Sequence, residues 1–199
     1  MKVQIIYSSL SGKTRRLAEY LYEGLNAEEK SIHDLKDGVP TLDGDVLLLG
    51  YWVDKGGPNQ AMRELMEILE GKTVGVFCTL GYYADAAHGV GSIQNGVNLL
   101  KDKNTILGSY VCNGAISDQI IAMFRRAGGS GPHSATPESE IRWEILKDHP
   151  TQTEMALGLE RFNERLEILR RFQNQGLEFR APRVRGFPLL FSWGKTWFV

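Results

Sequence analysis

The chain has 199 residues, 42% of them apolar and 24% charged, with a net charge of −1. These proportions suit one globular domain with some decoration, and no apolar run nears the roughly 20 residues of a membrane-spanning helix. Two cysteines, Cys78 and Cys112, exclude a disulfide framework, and no basic stripe marks the body as a nucleic-acid binder.

The first segment, "KVQIIY" (2–7), reads as a short buried strand. It lacks the layout of a signal peptide, so the expected location is the cytoplasm. The turn "YSSLSGKT" (7–14) follows, and Leu17, Leu21 and Leu25 then recur at helical spacing. "SIHDL" (31–35) is a weak second strand, and "DVLLLGYWV" (45–53) is a continuous apolar run of the kind covered on both faces. Pro58-Asn59 opens a helix, "TVGVFCTL" (73–80) is the fourth strand, a helix is expected over about 90–101, and "TILGSYVCNG" (105–114) is the fifth strand. Strands and helices that alternate in this way predict an α/β fold, a doubly wound parallel sheet with helices on both faces. Both cysteines fall in strands and read as buried thiols.

Beyond Gly114 the character changes. Ser117 caps a short helix, and "RRAGGSGPHSATPE" is a loop that ends in the cap Thr136-Pro137-Glu138. Thr151 to Glu154 has the spacing of a capping box. Behind it Met155, Leu159, Phe162, Leu166 and Leu169 form the stripe of a long helix that closes one face of the sheet. The expected division is a domain over 1–175 and a basic, aromatic extension over 176–199. In that extension four basic residues against Glu178 give +3, which leaves −4 for the remainder of a chain whose total is −1. Its six aromatics, Phe179, Phe187, Phe191, Trp193, Trp197 and Phe198, suggest packing across the domain or a homodimer contact, with docking on a partner or a membrane face as the alternative.

A turn between a strand and a helix is an anion site, because unpaired amides and the positive end of the helix dipole meet there. Gly12-Lys13-Thr14 matches the end of the nucleotide-triphosphate loop G-x-x-x-x-G-K-[ST], but the first glycine of that motif falls on Tyr7. The string "IIYSSLSGKT" is instead similar to the flavodoxin signature, [ST]-x-[ST]-G-x-T after an apolar strand and an aromatic, with Ser9, Leu10, Ser11, Gly12 and Thr14 in its positions. The resemblance implies FMN bound on a five-stranded sheet of order 2-1-3-4-5. It implies a phosphate at Ser9–Thr14, with Lys13 either pairing it or pointing to solvent.

By the same resemblance the flavin ring lies between the loops after the third and fourth strands. Trp52, or its neighbour Tyr51, stacks on the ring. Thr79, Leu80 and Gly81 face its pyrimidine edge, and Tyr82 or Tyr83 covers the outer face. Val53 stands where many flavodoxins have a glycine whose peptide flips toward the half-reduced ring, so Gly56 and Gly57 take over that flip or it is lost. The segments "GYWVDKGGPN", "PHSATPE" with Trp143, and "DHPTQTEM" resemble a flavodoxin-like subgroup, some of it encoded beside bilirubin reductases and called BilS. That likeness covers about residues 1–172, includes His133 and His149, and implies an electron-supplying or accessory role beside another oxidoreductase. No acid–base or nucleophile constellation stands out. Electron transfer is therefore expected over a stand-alone small-molecule reductase, and a scaffold module that has lost its flavin is the alternative from another class.

Overall fold

The computed structural model describes residues 1–127 and 134–179. Strands β1 (Lys2–Tyr7), β2 (Glu29–Asp34), β3 (Val46–Asp54), β5 (Thr73–Leu80) and β6 (Thr105–Asn113) form one parallel sheet in the order β2-β1-β3-β5-β6. Counted by parallel strands alone, this is the expected order 2-1-3-4-5. A feature the sequence reading lacked is β4 (Gly57–Pro58), which folds back antiparallel on β3 and pairs Val53 with Pro58 and Asp54 with Gly57. The turn between them holds Lys55 at φ 48° and Gly56 at φ 78°. Left-handed φ at both central residues is what a tight two-residue hairpin requires.

Strands β1, β3 and β5 bury residues on both faces, so the sheet has two cores. On one side, helices α1 (Lys13–Gly24) and α6 (Gln152–Asn174) cover Val3, Ile5, Val46, Leu48 and Phe77. On the other, α2 (Gln60–Ile68) and α3 (Ala87–Leu100) cover Ile6, Leu47, Leu49, Val74 and Val76. The expected stripe on α6 is present. Met155, Phe162, Leu166 and Leu169 are buried, Leu159 packs partly buried against them, and Thr151 closes a capping box with Glu154. Helix α3 begins at Ala87, earlier than the apolar periodicity suggested, because Gly89 can enter the first turn where a side chain would meet the carbonyls of Tyr83 and Ala84. Cys78 and Cys112 are free and buried, and burial pushes the Cys78 thiol up to about 12.

Two further helices, α4 (Asp118–Ala127) and α5 (Pro137–Leu146), stand beyond the carboxyl end of β6. Thr136 and Ser139 form the capping box of α5. Among the described residues no helix is long and apolar enough to cross a membrane. His133 and the extension beyond Phe179, with the packing or dimer contact expected of it, lie outside the described residues.

Candidate functional site

Three loops meet at the carboxyl ends of β1, β3 and β5, and side-chain bonds tie them together. Asn59, at the start of α2, donates to Ser8 Oγ at 2.9 Å and so joins the β3 hairpin to the turn after β1. Thr14 Oγ1 lies 2.9 Å from Thr79 Oγ1, which joins that turn to the end of β5. The β5–α3 loop is held in turn by Asn113, whose side chain accepts from the Ala84 amide at 2.8 Å.

The turn itself is built as a cradle. Gly12 sits at φ 81° as the N-cap of α1, and nothing lies within 4 Å of where its Cβ would stand. The first turn of α1 carries no acidic residue. Ser9 Oγ accepts the Arg15 amide at 3.2 Å, which leaves its own proton free to donate outward. Ser11 is exposed, with Oγ 3.4 Å from the Ala115 carbonyl, and Leu10 is exposed beside it. An open left-handed glycine on a helix whose own first turn carries no acid fits a phosphate. Buried Asn59 Oδ1 has no hydrogen-bond partner, a second polar group here without its complement.

Two residues of the turn behave differently from expectation. Thr14 is buried, and its hydroxyl is engaged with Thr79 behind the turn. Lys13 does not point to solvent, since Nζ donates to the Lys147 carbonyl at 2.9 Å. Arg16 does the same to Asp148 at 3.2 Å, so α1 clasps the end of α5 with two cations. Such pairing suits the negative end of a helix.

Around the ring loops, Trp52 is half-buried and pairs in register with Thr79. Tyr51 is the correction. It faces the α2–α3 core fully buried, and its hydroxyl donates to the Ser92 carbonyl at 2.9 Å. Burial drives that hydroxyl well above the usual phenol range. Neighbouring strand residues point to opposite faces, so only one of Tyr51 and Trp52 can reach the loops. Tyr51→Phe is expected to leave cofactor affinity unchanged and to lower stability by about 1 kcal/mol, measured by urea denaturation. A loss of affinity in the folded variant would return Tyr51 to the site.

Val53 is half-buried and fixed in the ladder with Pro58, and the Gly56 carbonyl accepts from Asn95 Nδ2 at 2.8 Å. The hairpin is thus pinned at both the strand and its tip. Thr79 and Leu80 are buried, and Ile116 packs so closely on Gly81 that an added Cβ would lie 2.1 Å from it. Tyr82 is half-buried and Tyr83 exposed, their rings 5.0 Å apart edge to face.

Sequence reasoning missed Arg142. This α5 side chain is buried and lies 4.7 Å over the Tyr82 ring. One charged residue in a mixed helix offers no signal by itself. It also missed a cleft of about 650 Å³ beside Ser11 and Lys13, walled by α4 and α5, across which Arg125 holds Glu140 in two bonds. Among the described residues no group of His, Cys, Asp and Glu is placed to hold a metal.

A model of the flavodoxin domain matches residues 4–162. The flavodoxin-like domain-containing protein BilS of Clostridioides difficile (strain CD3) is 29% identical over 160 residues, covering 78% of this chain and 90% of its own. The protein of that name from Clostridium symbiosum (strain WAL-14163) is 28% identical over 174 residues, with 78% and 91% covered. Among solved structures, rubredoxin oxygen:oxidoreductase from Desulfovibrio gigas superposes with a TM-score of 0.52 at 13% identity, over 89% of this chain and 37% of that one. The metal-soaked Flv1 flavodiiron core from Synechocystis sp. PCC6803 gives 0.50 at 14% identity, over 86% and 36%. At such identities the two structures speak for the fold alone.

Proposed function

The chain belongs to the flavodoxin domain family, and from that premise we propose that it is a cytoplasmic redox protein that holds one FMN across its three tied loops and exchanges electrons with a partner oxidoreductase. The observation that carries this reading is the Gly12 cradle, open, left-handed and set on the N-terminus of α1. The kinship with BilS-named flavodoxin-like proteins supports it.

In this reading the α1 amides and the Ser9 and Ser11 hydroxyls receive the phosphate. Trp52 and Tyr82 flank the ring and exclude water from it. The loop amides after β5 meet its pyrimidine edge, and the Thr14–Thr79 bond keeps phosphate turn and ring loop in fixed register. Bound FMN supplies the electron chemistry, and the protein sets its potential and exposure.

The test is a visible spectrum after FMN is added and the excess removed, followed by stepwise anaerobic reduction. Flavin retained one to one is the expected result. Because Val53 is locked in the ladder with Pro58 and Asn95 holds the tip, a backbone flip there would break both contacts. Little one-electron-reduced flavin is therefore expected to accumulate. Abundant one-electron form would show that the hairpin opens. A chain that retains no flavin favours the scaffold reading, to which the mutual engagement of Thr14 with Thr79 and the use of Lys13 on Lys147 lend some support.

A further inference from the structure

Arg142 is only 8% exposed, an uncommon degree of burial for an arginine. Its Nη1 donates to Glu138 at 2.9 Å, but the Glu138 side chain is 76% exposed, so water screens that carboxylate and it offsets the cation only in part. Nε is buried with no hydrogen-bond partner at all. The guanidinium lies 4.7 Å over the Tyr82 ring and 5.9 Å from that of Tyr83, on the loop that directly follows Gly81. Tyr83 at 5.0 Å and His88 at 6.0 Å also pack edge to face on Tyr82. Glu140 lies two residues away, on the other side of α5, and is held by Arg125.

A buried cation with a weak counter-charge and an idle donor calls for an anionic or carbonyl-rich acceptor. We propose that Arg142 is a further cofactor-site residue, which sets its positive charge and free Nε donor toward the pyrimidine edge of the flavin and so favours the reduced, negatively charged ring. The inference rests on the FMN reading above. Helix α5 delivers this charge. Its far end is clasped to α1 through Lys13 and Arg16, so phosphate turn and ring loop are bridged by one rigid element. A guanidinium suits the role because it carries its charge throughout the neutral range and stacks flat on an aromatic ring.

The experiment measures oxidised-FMN affinity by fluorescence quenching and the two-electron midpoint potential by dye equilibration, in the full chain, for wild type, Arg142→Gln and Glu138→Gln. Arg142→Gln is expected to change oxidised-FMN affinity less than about threefold while weakening the reduced form by roughly ten times more. A tenfold differential is a fall of about 30 mV for a two-electron couple. Glu138→Gln removes an exposed counter-charge and is expected to move the midpoint upward at low salt. It decides the matter should Arg142→Gln not fold. Equal losses of oxidised and reduced FMN in Arg142→Gln would make Arg142 merely structural and overturn the inference, as would an unmoved Glu138→Gln midpoint where that variant decides. A wild-type chain that binds no FMN would defeat the function reading instead, so the two failures are told apart.

Discussion

Gly12→Asp is expected to reduce FMN affinity at least a hundredfold while the far-ultraviolet spectrum stays native and stability falls by only about 1 kcal/mol. Asp is among the few side chains that visit left-handed φ, and the space around a Cβ at this position is open. Its charge also complements the start of α1, which offsets part of the backbone strain at φ 81°. The fold therefore loses little. The ligand loses much, because a carboxylate now stands where a phosphate would enter. Like charges about 4 Å apart near a surface repel by roughly 4 kcal/mol, enough for a hundredfold change or more. Gly12→Asn has the same backbone tolerance without the charge and should lose far less. If titration gives Gly12→Asp the affinity of wild type, the phosphate does not lie at this turn.

Phe162→Ala is expected to lower unfolding free energy by about 3–5 kcal/mol. The ring is fully buried at the middle of α6 and meets Phe77 edge to face at 6.4 Å. It fills the space left by Gly75, where an added Cβ would lie 2.9 Å from a ring carbon. Strand and helix backbones on either side cannot collapse into the gap, so the cavity persists. For a domain stable by about 5–15 kcal/mol this is a large share, and it corresponds to a fall in Tm of roughly 6–20 °C. Urea titration of the apo chain is the measurement, since bound FMN would raise apparent stability by mass action. A loss below about 1 kcal/mol would mean that α6 does not close this face.

Local signals were readable wherever their cause is local. Thr151 and Glu154 satisfy amides within one helical turn of each other, and the spacing alone announces them. The runs 46–53 and 74–80 are almost wholly apolar because both faces are covered, so their strand character shows without knowledge of their neighbours. The β3–β4 hairpin escaped notice because Lys55, not a glycine or asparagine, takes the first left-handed position. Tyr51 and Trp52 show the limit at the site. Alternation says that they face opposite ways, and only the helices packed on each side say which way is inward.

Taken by itself, the sequence determined the alternating elements, the parallel class of the sheet, the helix caps and the glycine turn that suits a phosphate. Each follows from hydrogen bonds and apolar periodicity within a few residues. Only the tertiary structure decided that Thr14 turns to Thr79, that Lys13 clasps Lys147, and that Arg142 lies buried on Tyr82. Those partners stand 65, 134 and some 60 residues apart. Their meeting depends on strand order and on how α5 lies across the carboxyl ends, which no local pattern encodes.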